Sequence, residues 1–161
     1  MSLWKIIKGL NYRQLTSLMV WFLKHPLYMI STISATLLTF RISQKHFPDI
    51  HGQHNRANAF RHALWNVVIA RKCSRFSENQ RSVLRWTKQI TDWHEEFSPN
   101  EKLAEAMDLH NNQIGRNLFR ELSEMKLEDV VTFMIKEMEN AIKVSEISDI
   151  EGLHQLVYIE D

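Results

Sequence analysis

Asn58, His62 and Asn66 recur every fourth residue through a stretch that is otherwise almost wholly apolar, a spacing that lines one stripe of a helix. Phe60, Ala63, Leu64, Val67, Val68 and Ile69 surround the stripe, so the helix is expected to be buried and its polar groups must find partners. Each group left unsatisfied would cost about 1–3 kcal/mol. Arg61 and Trp65 flank the stripe. Two later segments offer complementary residues. Asp92 and Glu95 stand at i, i+3 beside the apolar face of Val83, Trp86, Ile90 and Trp93. Asp108, Asn112 and Arg116 form an i, i+4, i+8 stripe next to the His110–Asn111 pair, which interrupts the seam of Leu103, Met107, Ile114 and Leu118. Helices joined by short capped turns pack side by side. Their polar edges are thus expected to bring Arg61, His62, Asp92, Glu95, Asp108, Asn111 and Asn112 together.

Three chemistries suit such a cluster. The first is hydrolysis with a histidine base, since imidazole titrates near neutrality and a carboxylate can fix its tautomer. His62 would activate water, Asp92 or Asp108 would orient the ring, and Arg61 or Asn112 would stabilise an oxyanion. Asn58, Asn66, Glu95, Asn111 and Arg116 would complete the ligand-binding surface. No nucleophile elbow, HExxH or P-loop signature accompanies these residues. The second is a divalent metal held by His94, Glu95, Asp108 and His110, although no spacing matches a standard zinc motif; no cofactor is predicted, and a divalent ion stays open. The third is a structural network of Arg–Asp, His–Glu and Asn–backbone bonds that fixes helix register.

Other residues read more plainly. The tryptophans and methionines lie at helical spacing and are expected in the core. His46, His51 and His54 fall around a loop and read as solvated. Arg71, Lys72, Arg75, Arg81 and Arg85 form a basic run without a recognition motif, so nucleic acid is not the expected partner. The single Cys73 reads as an inert, half-buried thiol.

Helical signals dominate the elements that would position the cluster. Asn11 caps a first helix through Lys24, with Leu15, Leu18, Met19 and Phe22 on one apolar face. Pro26 suits the first turn of a second, reaching about Lys45. Phe47 to Asn55 is a loop. Asn55 caps a third helix to about Ser74, and the box from Ser77 to Gln80 opens a fourth to Phe97. A second box, Ser98 to Glu101 with Pro99 at the first helical position, opens a fifth lasting to about Met125. Leu127 to Lys143 reads as a sixth, with Val130, Val131, Met134 and Met138 inward, and Leu156 to Ile159 as a short extended segment. Gly115 lies mid-helix, where it costs about 1 kcal/mol against alanine, and it predicts close approach of a neighbouring helix or ligand.

The strings Asn58-Ala-Phe-Arg-His-Ala-Leu-Trp-Asn66, Thr91-Asp-Trp-His-Glu95 and Met107-Asp-Leu-His-Asn-Asn-Gln-Ile-Gly-Arg116 resemble an uncharacterised bacterial domain family. That family occurs in small stand-alone proteins and at the ends of some large secreted, toxin-like proteins. The likeness covers residues 50–120. Asn58 stands where many members have Asp, and Trp93 where Ala is usual. The resemblance implies no activity. A fainter likeness to prokaryotic phospholipase A2 rests on Arg61-His62, Trp65-Asn66 and Asp92, but Ala63 follows the histidine where that family has Asp, and no cysteine pair or calcium loop is present.

At 161 residues, 44% hydrophobic and 24% charged, the chain is long enough for one domain with a real core. One cysteine leaves no internal disulfide and suits a reducing compartment. The expected fold is all-α, a compact bundle of five to six helices in a single domain, 1–161. Its basic, apolar N-terminal helices span 1–47, its motif-bearing helices 55–125, and its C-terminal helix and tail 127–161. Residues 1–76 carry eleven Lys and Arg against one acid, +10, and residues 77–161 nine against eighteen, −9. The halves can neutralise each other within one fold, or the basic half can approach an anionic membrane surface. The uncharged stretch from Lys24 to Arg41 is short and hydroxyl-rich for a transmembrane span. The N-terminus lacks the pattern of a signal peptide, so the expected location is cytoplasmic, or peripheral to the inner face of the membrane.

Overall fold

A computed structural model describes residues 11–97 and 101–161. Six α-helices carry the described chain: α1 (Tyr12–Lys24), α2 (Pro26–His46), α3 (Arg56–Cys73), α4 (Gln80–Glu96), α5 (Lys102–Leu122) and α6 (Leu127–Glu139). Two short strands, β1 (Ile142–Lys143) and β2 (Val157–Tyr158), pair in parallel with Ile142 opposite Val157. The all-α reading and the extended C-terminal segment both hold. No helix among the described residues is long and apolar enough to cross a membrane.

Local chemistry sets most boundaries. Asn11 and Gln14 form a reciprocal capping box at α1, Pro26 occupies the first turn of α2, and the Asn55 side chain accepts from the Asn58 amide to start α3. These satisfy amides that have no partner within the helix. At α4 the expected Ser77 box gives way to Asn79, whose side chain accepts from the Ser82 amide. The box expected around Pro99 lies outside the described residues apart from Glu101, which precedes α5 without a side-chain cap bond. The sixth helix is shorter than its periodicity predicts. Asn140 closes it, its side chain donating to the Lys136 carbonyl at 3.0 Å, and the chain turns directly into β1.

Helix α3 is the hub. Ala59, Phe60, Ala63, Leu64, Val67, Ile69, Ala70 and Cys73 have no exposed surface, which fits a helix apolar on every side. It packs against α2, α4, α5 and α6. Its closest neighbour is α5, where Gly115 lies so near that a β-carbon there would meet the Ala63 carbonyl oxygen at 2.2 Å. The glycine therefore serves a helix crossing. The threonines that weaken α2 as a helix former have a packing role. Thr32 accepts from the Trp86 indole N–H at 3.0 Å and Thr36 from that of Trp65 at 2.9 Å, which satisfies buried polar edges of large rings.

The C-terminal tail is stitched to this hub by Asn111 on α5. Its carboxamide donates to the Val157 carbonyl and accepts from the Val157 amide, each at 2.9 Å, imitating a third strand at a buried position. Replacing Asn111 by Ala leaves two buried backbone groups unsatisfied, at about 1–3 kcal/mol each. We expect a loss of about 2–4 kcal/mol in urea denaturation and faster hydrogen exchange confined to residues 154–160.

Helix α1 departs from expectation. Leu18 and Trp21 are the residues turned toward the bundle, with Trp21 edge-on to Trp86 and Trp93 at 6.1 and 5.5 Å. Leu15, Met19 and Phe22, expected inward, are exposed, while Gln14 is buried. The helix is amphipathic, but its broad apolar face points outward.

Candidate functional site

Three helices place polar residues at the same four-residue period, and these meet in the interior. α3 brings Asn58, His62 and Asn66, α4 brings Thr87, Thr91 and Glu95, and α5 brings Asp108, Asn112 and Arg116; all nine are buried. His62 lies at the centre, 3% exposed. Its Nδ1 is 3.3 Å from Glu95 Oε1, and its Nε2 is 3.4 Å from Asp108 Oδ1. Arg61 Nη2 donates to Nε2 at 2.8 Å. A guanidinium only donates, so Nε2 is the accepting nitrogen of this pair, and Nδ1 lies on the Glu95 side of the ring.

Glu95 is fixed from the other side. Asn112 donates to Glu95 Oε1 at 2.9 Å and accepts from Asn66 Nδ2 at 2.7 Å, and that same Nδ2 lies 3.0 Å from the His62 carbonyl. Asn66 Oδ1 accepts from Arg116 Nη1 at 3.0 Å and from the Thr91 hydroxyl at 3.3 Å. Arg116 also reaches the Gln113 side chain at 2.9 Å. Each asparagine therefore ties its own helix to the other two, and a continuous path runs from Arg116 to His62.

The two carboxylates are tuned oppositely. Burial by itself would raise the Glu95 carboxyl, but its interactions with His62, His94 and Asn112 hold it below the ordinary range. Asp108 is raised by burial and by the Glu95 charge, against the pull of His62, Arg61 and His54. Burial lowers the Arg61 guanidinium, with Asp108 and Glu95 opposing, and arginine stays a cation throughout. One carboxyl is thus shifted down and the other up, a separation that characterises acid–base sites.

Of the residues singled out in the sequence, the structure brings Arg61, His62, Glu95, Asp108 and Asn112 into contact or close range, with Asn66 and Arg116 one bond further out. Asp92, expected to orient His62, pairs with Lys88 and sits 3.9 Å from Arg116; one helical step turns it away, and Glu95 takes that place. Asn111 holds the C-terminal tail. Asn58 is buried, and its carboxamide oxygen has no hydrogen-bond partner among the described residues. Thr91 was missed, although it shares the period of Thr87 and Glu95.

The metal-ligating set also shifts. His62, Glu95 and Asp108 each offer a donor atom within 4.8 Å of the others. His110 instead donates through Nε2 to the Gln155 carbonyl at 2.8 Å, and His94 is exposed and edge-on to Trp65 at 5.2 Å. The 3.4 Å between His62 Nε2 and Asp108 Oδ1 suits two ligands of one ion, which at bond lengths near 2.1 Å stand roughly 3.4 Å apart. Arg61, however, already places a cation at Nε2. Elsewhere, His51 is buried and hydrogen-bonded through Nε2 to Gln44 at 2.9 Å, where a solvated loop histidine was expected. Burial pushes the Cys73 thiol up to about 12 despite a hydrogen bond with Thr32, which leaves it inert as a nucleophile.

A cleft of about 470 Å³ lined by Trp21, Gln89, Asp92, Trp93, Glu96, Glu105 and Leu109 opens beside Asp92 without His62 among its lining residues. Arg61, which contacts His62 Nε2, is itself half-buried.

No curated protein and no solved structure matches the chain. A family model does: it spans residues 19–142 and so takes in all three polar stripes. The chain belongs to the domain of unknown function family DUF6973.

Proposed function

We propose that this domain is a hydrolase of esters or phosphoesters, lipids among them, with His62 as its general base. The observation that carries this reading is the division of labour between the two ring nitrogens. Nδ1 lies 3.3 Å from Glu95 Oε1, and Nε2, which accepts from Arg61, lies 3.4 Å from Asp108 Oδ1. Nε2 would take a proton from water as the oxygen attacks the substrate, and Glu95 and Asp108 would stabilise the resulting imidazolium. Arg61 would hold the charge developing on the substrate oxygen. With His62 only 3% exposed, the substrate's own anionic group must draw the Arg61 guanidinium off Nε2. Phosphate is a better partner for that fork than a neutral carbonyl, which favours phosphoesters.

A panel of lipase, phosphodiesterase and nuclease substrates, run on the wild type and on His62→Gln, tests this. The variant is expected to lose about 10²–10⁴-fold in rate while its melting temperature stays close to the wild type. A second reading draws on how completely Asn66, Asn112 and Thr91 are bonded within the protein. Here the domain is a non-enzymatic binding or interaction module and the cluster is structural. A wild type inactive on the whole panel, together with a His62→Gln variant that melts several degrees lower, would establish it. Elemental analysis of the purified protein decides whether a divalent ion replaces Arg61 at Nε2.

A further inference from the structure

We infer that α1 and the outer face of α2 form a docking surface for an anionic lipid bilayer. Tyr12, Leu15, Met19 and Leu23 follow one another at three or four residues along α1, and they are 81%, 42%, 60% and 75% exposed. Across the turn at His25, Leu27 and Ile30 continue the stripe at 51% and 55%. It runs on into a groove of about 470 Å³ walled by Ile30, Ile33, Leu37 and Leu38 and edged by Arg41 and Lys72. A helix that buries a glutamine and presents this many large apolar side chains to water has its apolar face directed at something outside the bundle.

Charge identifies the occupant. Residues 1–48 contain six Lys and Arg and no Asp or Glu. Of these, Arg13, Lys24, Arg41 and Lys45 are exposed on the two helices that carry the stripe. The two helices themselves carry basic and no acidic residues, and Asp92, Glu96 and Glu105 lie on the far side of Trp21 in the cleft between α1, α4 and α5. An apolar face on helices of this charge is the pattern of a segment lying in the interfacial plane of a membrane rich in acidic lipid. A second copy of the chain meets this surface poorly, because a two-fold contact would set the same basic residues against themselves. The surface shares no residue with the His62 cluster, so it stands or falls independently of the hydrolase reading.

The experiment is co-sedimentation of the full chain with vesicles of phosphatidylcholine alone and of phosphatidylcholine mixed with phosphatidylglycerol. Binding is expected at least about tenfold tighter to the anionic vesicles, weakened but not abolished by salt, since both charge and apolar insertion contribute. The Met19→Glu, Leu23→Glu double variant should lose more than about tenfold of that binding with an unchanged melting temperature, both positions being exposed. Lys24→Glu with Arg41→Glu should lose the preference for phosphatidylglycerol. His62→Gln should bind as the wild type does. Failure to sediment with either vesicle overturns the inference. So does a dimer in solution that Leu23→Glu converts to monomer, because the stripe is then covered by a second copy.

Discussion

Gly115→Ala is expected to lower stability by about 3 kcal/mol or more, a large share of the roughly 5–15 kcal/mol that holds a domain folded. The sign is what makes the result informative. At an ordinary position within a helix the same change gains about 1 kcal/mol, because alanine is the better helix former. Here the new methyl would lie 2.2 Å from the Ala63 carbonyl oxygen and 2.8 Å from the Ala63 carbonyl carbon and α-carbon. All three atoms are backbone, so no side chain can rotate away. α5 would have to move off α3 by the better part of an ångström, opening the interior between two helices that contribute most of the core. Ala63 follows His62, and Asp108 lies on the displaced helix, so the 3.4 Å between His62 Nε2 and Asp108 Oδ1 would lengthen as well. Thermal denaturation measures the first effect. A Gly115→Ala protein that melts at or above the wild-type temperature would show that the two helices are not in contact at this crossing.

The same crossing shows how far the sequence carries. Gly115 announces close approach by its cost alone, and the stripes 58/62/66 and 108/112/116 are legible because each interrupts a run of apolar residues at helical period. On α4 the signal is weaker. Asp92 and Glu95 at i, i+3 look like a pair, but Thr87, Thr91 and Glu95 hold the inward edge, and threonine seldom stands out when carboxylates lie next to it. Helix periodicity also reports how apolar residues are grouped and not what they face. Of the stripe on α1, Leu18 packs on the bundle while Leu15, Met19 and Phe22 point away from it, since Trp21, one turn from Leu18, has Trp86 and Trp93 to pack against. The early end of α6 is invisible in its pattern of valines and methionines because the tail that replaces its last turn is held by Asn111, a contact 46 residues away in the chain.

Asp108→Asn is expected to separate stability from function. The Asp108 carboxyl is raised by its burial and by the charge of Glu95. An acid whose folded value lies above its unfolded value binds protons more readily when folded, so it costs stability at neutral pH and ceases to do so as the pH falls through the raised value. Glu95 has the opposite sign: its lowered value contributes stability at neutral pH that is lost as the pH falls through the folded value,. Removing the Asp108 charge while keeping its shape should therefore stabilise the protein at pH 7 by about 1 kcal/mol. Stability should then fall more steeply on acidification, because the Glu95 contribution is no longer offset. Under the hydrolase reading the same variant loses one of the two carboxylates flanking the imidazolium and drops about 10²–10³-fold in rate. Denaturation across pH 4 to 8, paired with the substrate that the panel identifies, reads both quantities from one protein. A loss of roughly 3–5 kcal/mol at pH 7 would instead mark Asp108 as the obligatory counter-charge of Arg61 in a buried ion pair, and the cluster would then be retained for the fold.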